Sequence, residues 1–176
     1  RTEDICALGK MLKEIEGDVV YLVNNAGIAK MGSYDEFSVE EIEETIRIHC
    51  SATVSLCTMC IPYMRAGSRI LNLSSSSAFQ PLPYLNLYAA TKVFVRNYSR
   101  ALNVELKKSG ITVTAVCPGW VDTELLLREI NGKTVRFTGM VSAERVARVA
   151  LKDAKKGKDM SVCSFYFKFE HVLSKI

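Results

Sequence analysis

Three short runs constrain this chain more than anything else in it: DVVYLV (18–23), SRILNLS (68–74) and ITVTAVC (111–117). DVVYLV is short, β-branched and apolar after its first residue, the pattern of a strand buried on both faces of a sheet, and SRILNLS and ITVTAVC read as a second and a third strand. Long segments with apolar residues at helical spacing separate them. One runs from Ser38 to about Met64 and opens with Ser38 as N-cap and Glu41 three residues on, a capping box. Pro62 should bend its end. A second runs from Tyr84 to Gly110, with Lys107 and Lys108 where the helix dipole favours cations. SAERVARVALKDAKKG supplies a third, with Ser142 as N-cap and Gly157 as stop. DICALGKMLKEIEG, ending at Gly17, predicts a helix ahead of the first strand, and MSVCSFYF (160–167) reads as a fourth strand. Strands alternating with helices predict an α/β fold, a doubly wound parallel sheet with helices on both faces.

Ligands of such sheets bind beyond the carboxyl ends of the strands. The first strand is followed by NNAG, the second by SSSS and the third by PGWVDT. These small, polar, backbone-exposing segments should share one edge of the sheet. The helix carrying Tyr88 and Lys92 starts beside that edge, and residues four apart share a helix face. An ammonium beside a phenol favours the phenolate, and a phenol so tuned exchanges a proton with an alcohol or alkoxide near neutral pH. A serine hydroxyl can hold the same oxygen. Ser, Tyr and Lys together make an acid–base site for interconverting carbonyls and alcohols, but the hydride must come from a nicotinamide cofactor. Taken singly, the same residues fit duller roles: the asparagines a turn, the serines a solvated loop, Tyr88 and Lys92 a surface pair.

The 176 residues, 48% hydrophobic and 24% charged, suffice for one core and exclude a disordered chain. We expect a single domain over 1–176. Apolar stretches are interrupted well short of the ~18 residues of a membrane span, and RTEDICALGK has no long apolar signal-peptide core. The net charge of +4 is scattered except for KDAKKGKD, which lacks interleaved aromatics and reads as a solvated helix end, not a nucleic-acid patch. Six cysteines stand at 6, 50, 57, 60, 117 and 163. Cys57 and Cys60 have redox spacing but lie inside an apolar helical run. Scattered buried thiols in a reducing cytoplasm account for them, and no metal-ligating set is expected.

LVNNAG, Ser75 thirteen residues before the tyrosine of YAATK, and PGWVDT follow one another as in the short-chain dehydrogenases/reductases, and the chain resembles that family from at least Leu22 to Thr123. The resemblance implies a Rossmann-like sheet and an NAD(P)-dependent oxidoreductase acting on a secondary alcohol or ketone. It implies Tyr88 as general acid/base, Lys92 lowering the tyrosine pKa and bonding the nicotinamide ribose, and Ser75 holding the substrate oxygen, with Ser74, Ser76 and Ser77 as bystanders. Asn24, Ala26 and Gly27 match the segment along the cofactor's adenosine side, and Pro118, Gly119, Val121 and Thr123 the loop meeting nicotinamide and pyrophosphate. The cofactor is NAD(P), with NADP slightly preferred. Partners implied are a small carbonyl or alcohol substrate and further copies in a homodimer or homotetramer, for which Phe94, Val95 and Tyr98 are core or interface candidates. A non-catalytic binding or scaffold protein on the same fold is the alternative.

The chain also departs from that pattern. The glycine-rich phosphate loop TGxxxGxG is not in it, and DVVYLV corresponds to the family's fourth strand. We read this as a fold without its first three strands, and expect these residues alone to bind no cofactor tightly. Strong NAD(P)H binding by them would overturn that. A chain so built would expose a flank of DVVYLV as an apolar edge. His49 falls where many members have an asparagine, and reads either as a replacement proton-relay residue or as a helix histidine satisfied by nearby backbone. MSVCSFYFKFEHVLSKI resembles the tails of hydroxysteroid and long-chain ketoacyl reductases, or is simply a core strand and a docking helix. The final SKI, close to a peroxisomal signal, is taken as chance. The stretch 123–141 is the least regular and is expected to move over the substrate.

Overall fold

A computed structural model describes residues 2–14, 17–126, 129–130, 133–134 and 137–173. The chain order is α1 (Thr2–Glu14), β1 (Tyr21–Asn24), α2 (Val39–Ile46), a π-helical turn (Arg47–Ser51), α3 (Ala52–Cys60), β2 (Arg69–Leu73), α4 (Asn86–Glu105) and β3 (Thr112–Val116). Then come four short strands, β4 (Val121–Asp122), β5 (Glu129–Ile130), β6 (Lys133–Thr134) and β7 (Val141–Ser142), followed by α5 (Ala143–Lys155), β8 (Met160–Ser161) and α6 (Phe165–Leu173). The main sheet is parallel, in the order β1-β2-β3-β8.

Strand alternation decides which helix covers which face. Ile70 and Val113 pack with Cys57 and Leu102 on the α3/α4 side. Leu71 and Val116 point the other way, onto Val146, Ala150 and Ala154 of α5. The doubly wound architecture follows. Ser38 caps α2 with the full capping box to Glu41. Ser142 caps α5 through the Arg145 amide. At the far end of α4, Gly110 adopts φ +70°, a conformation that costs other residues more.

Two expectations need correction. DVVYLV is not buried on both faces: the strand begins only at Tyr21, pairs among the described residues with β2 alone, and leaves Val20, Tyr21 and Val23 exposed, while Leu22 packs against the α3/α4 core. This is the apolar edge anticipated from the sequence. The segment expected to be helical from Ser38 to about Met64 is helical from Val39 to Tyr63, with a π turn at Arg47–Ser51 and, at Pro62 as expected, a change of helix to a 3₁₀ turn at Ile61–Tyr63. MSVCSFYF is a strand only at Met160–Ser161; from Phe165 the chain turns helical, burying Phe167 and leaving Phe165 and Tyr166 outside. The stretch 123–141 is, as expected, the least regular, holding only the short β5–β6 pair and the start of β7. Its expected motion falls partly on 127–128, 131–132 and 135–136, outside the described residues, as do positions 15–16 at the end expected for the first helix and the terminal SKI.

Of the interface candidates, Val95 is core and Phe94 faces outward, stacked on Tyr98. KDAKKGKD is a helix end, but Asp153 within it is buried and paired with Lys158 and Ser161.

Gly110→Ala should destabilise the protein by about 1–2 kcal/mol, because the left-handed backbone is strained for alanine and the new Cβ would lie 2.9 Å from that of Ala66. Denaturant unfolding should show the midpoint falling at unchanged m-value.

Candidate active site

The ends of β1, β2 and β3 meet the first turns of α4 at one edge of the sheet. Lys92 is the residue about which they are arranged. It is 4% exposed, and its Nζ donates to the Leu73 carbonyl at the end of β2, 2.9 Å away. Its own backbone carbonyl accepts from Ser74 Oγ at 2.7 Å. Burial holds the ammonium down to about 8. Nζ also lies 5.4 Å from the centre of the Tyr88 ring.

Tyr88 is half-buried. Burial raises its phenol above the ordinary value, while a hydrogen bond with the Ser75 side chain works in the opposite direction. The net direction is opposite to the one the family resemblance implies. The larger cause is desolvation of the phenolate. Ser75 caps the short turn that follows β2, its Oγ accepting from the Ser77 amide. Ser75, Tyr88 and Lys92 are therefore brought together. Ser74 is a buried structural contact, and Ser76 donates its amide to the Pro118 carbonyl.

The other expected residues divide. Gly27 lies against the site: a Cβ there would stand 3.2 Å from His49 Nε2 and 3.5 Å from Lys92 Nζ. Ala26 is exposed beside it. Asn24 turns into the sheet, where its Nδ2 donates to Asn72 Oδ1 at 2.8 Å; its own Oδ1 is buried with no partner among the described residues. Pro118 and Gly119 leave β3 beside the serine turn, with the Phe167 ring seated directly on Gly119. Val121 packs into the α5-side core as part of β4, and Thr123 is exposed beyond it.

His49 is 1% exposed in the π turn, and both its ring nitrogens are engaged. Nε2 accepts from the Ile28 amide at 3.0 Å, and Nδ1 is 2.8 Å from Thr91 Oγ1. Burial, then the Lys92 charge, hold it down to about 4. Of the two readings the sequence left open, this geometry matches the satisfied helix histidine. Cys57 and Cys60 are buried thiols with pKa pushed up by burial, Cys57 to about 11, which is the opposite of a redox pair.

Sequence reasoning missed a buried network. Asn72 bridges Asn24 and Ser99, and Ser99 Oγ donates to the Val95 carbonyl, tying β1 and β2 to α4. Its one signal was an asparagine inside an otherwise apolar strand, RILNL.

Residues 2–133 match the profile of the short chain dehydrogenase family, to which this chain belongs. It is 26% identical over 156 residues to the ketoacyl reductase HetN of Nostoc sp., covering 88% of this chain and 54% of that protein. It is 27% identical over 164 residues to the D-beta-hydroxybutyrate dehydrogenase of Rhizobium meliloti, covering 92% and 63%. A short-chain dehydrogenase from Sphingobium yanoikuyae, solved in complex with NADPH, superposes with a TM-score of 0.80 at 29% identity, covering 92% of this chain and 63% of that one. The fold is thus the Rossmann fold of these enzymes, and the chain spans between about half and two thirds of the relatives it matches.

Unfolded Lys92 holds its proton to about 10.5, the folded residue only to about 8. Between these values the unfolded chain binds more protons, so stability should rise with pH across that window, by on the order of 3 kcal/mol. Lys92→Met should abolish the rise. Urea unfolding of both forms at pH 7.5 and 10 checks it, the prediction failing if their pH dependences coincide.

Proposed function

We propose that the protein is an NAD(P)-dependent oxidoreductase that interconverts a secondary alcohol and a ketone, built on one Rossmann-like domain over residues 1–176. The observation that carries the reading is the convergence of Ser75, Tyr88 and the buried Lys92 ammonium at the carboxyl edge of the sheet. The residues present fit the nicotinamide-ribose end of such a cofactor. An ammonium has three donors, and among the described residues Lys92 spends one on Leu73, leaving two for ribose hydroxyls. Gly27 allows close backbone approach beside it, and Asn24, Ala26, Pro118, Gly119, Val121 and Thr123 are proposed to line or support the same cofactor. When bound, the nicotinamide supplies or accepts the hydride.

The chain's own residues handle the proton. Ser75 holds the substrate oxygen against the Tyr88 hydroxyl. With its pKa raised, Tyr88 remains a protonated phenol at neutral pH, the form needed to give a proton to a developing alkoxide. The Lys92 ammonium then stabilises the tyrosinate left behind. This charge state favours the reductive direction.

NADP is the proposed preference, supported by the NADPH of the solved Sphingobium relative. A cytoplasmic protein fits the six free cysteines; among the described residues no helix is long and apolar enough to cross a membrane. Assembly as a homodimer or homotetramer is proposed through the α3–α4 face, where Phe94 and Val104 are exposed.

In the full-length protein, Tyr88→Phe should lower kcat for ketone reduction by about 10²–10⁴ and Ser75→Ala by about 10²–10³. NADPH should bind more tightly than NADH in fluorescence titrations. A Tyr88→Phe enzyme within tenfold of wild type would remove the tyrosine from this role.

A further inference from the structure

His49 lies outside the Ser75–Tyr88–Lys92 cluster yet is a titratable side chain only 1% exposed beside it. The Ile28 amide can only donate, so Nε2, which faces it at 3.0 Å, must be unprotonated. The neutral ring then carries its proton on Nδ1 and donates to Thr91 Oγ1 at 2.8 Å. That leaves the Thr91 hydroxyl hydrogen for the Tyr88 backbone carbonyl, 2.8 Å away. The chain of donors therefore runs in one direction, from the Ile28 amide through the imidazole and the Thr91 hydroxyl to the Tyr88 carbonyl, with each donor hydrogen used once. Thr91 is 4% exposed, so no solvent competes along it.

The ends of this chain are the two halves of the proposed site. Ile28 follows Gly27, which lies against Lys92 Nζ, and Tyr88 is the proposed acid. The His49 ring also meets the Tyr88 ring edge-on, with centroids 5.6 Å apart. The device depends on the π turn at Arg47–Ser51, since a π turn re-aims side chains that an unbroken helix would place differently.

We propose that His49 and Thr91 are positioning residues: a one-way hydrogen-bond latch that fixes the Gly27–Ile28 backbone relative to the helix bearing Tyr88 and Lys92. His49 is not a general base, because its acceptor nitrogen Nε2 is committed to the Ile28 amide, a group that only donates. The inference rests on the roles proposed for Tyr88 and Lys92, but its structural part can be read without turnover.

The test uses the full-length protein with ¹⁵N-labelled histidine. Long-range ¹H–¹⁵N correlation should show His49 as the Nδ1–H tautomer in wild type and in Thr91→Ser, which keeps the hydroxyl, and a mixed tautomer in Thr91→Val. Amide exchange at Ile28 should accelerate about fivefold to tenfold in Thr91→Val, the loss expected for one neutral hydrogen bond. It should stay at the wild-type rate in Thr91→Ser. The kcat for ketone reduction should fall by a similar factor in Thr91→Val, with KM little changed, and return in Thr91→Ser. An Nε2–H tautomer in wild type overturns the latch, as does Thr91→Val with unchanged exchange at Ile28. Should the protein reduce no ketone with either nicotinamide, the proposed function fails while tautomer and exchange still decide the latch.

Discussion

A lysine ammonium buried to 4% exposure is held by little more than one carbonyl, and the geometry around it is the constraint the site depends on. Lysine is rarely so enclosed without a partner. Here the partner is the backbone at the end of β2. The bond to Leu73 forms only if α4 lies close across the strand ends, and the Ser74 hydroxyl pins the Lys92 carbonyl to the same place. Gly27 lets the chain leaving β1 approach the ammonium from the other side. The desolvation that depresses Lys92 also raises Tyr88, so the two groups are shifted in opposite directions by one physical cause.

A second polar system fixes the same helix one step deeper. Asn72 has no exposed surface, and it is satisfied on both sides by Asn24 and Ser99. Ser99 belongs to α4 and Asn24 to β1, so the central strand joins edge strand and helix by side chains as well as by its ladder. Inside the protein an unpaired amide would be costly, whereas a satisfied one specifies a single arrangement. The lysine and asparagine systems together fix α4 against the strand ends at two points, Lys92 and Ser99, roughly two helical turns apart.

Much of this was legible in the sequence where a period or a cap writes itself into residue order. The strand cores, the Ser38 and Ser142 caps and the Gly110 stop follow from local chemistry. The pairing of Tyr88 with Lys92 follows from helical spacing and the nearness of the serine run from its place after a strand, while the choice of Ser75 within that run came from the family resemblance. The π turn was not legible, because one extra residue in a helix changes no composition. The aromatics of FYF fit a strand or a helix equally, and packing of Phe167 decided between them. The Thr91 and Asn72 contacts join residues far apart in sequence, 42 and 48 positions, which no local pattern encodes. The direction of the Tyr88 shift was misread for the same reason: the neighbouring charge is visible in YAATK, but the burial is tertiary.

The loop after β3 shows how distant residues set a site's shape. Gly119 has an ordinary backbone, so its lack of a side chain answers to space, not to φ. The space is taken by the Phe167 ring, which a Cβ at 119 would collide with. The same ring packs with Phe79, Cys117 and Val162, and a Cβ at Gly139 would stand 3.9 Å from it. Phe167 thus supports both arms of the irregular segment, the one leaving β3 and the one entering β7. The serine turn meets the first arm through the Ser76 amide and the Pro118 carbonyl. One aromatic near the C-terminal end of the chain therefore bears on where Ser75 presents its hydroxyl, so the geometry of Ser75 and Tyr88 is set partly by α6, an element that carries no part of the chemistry.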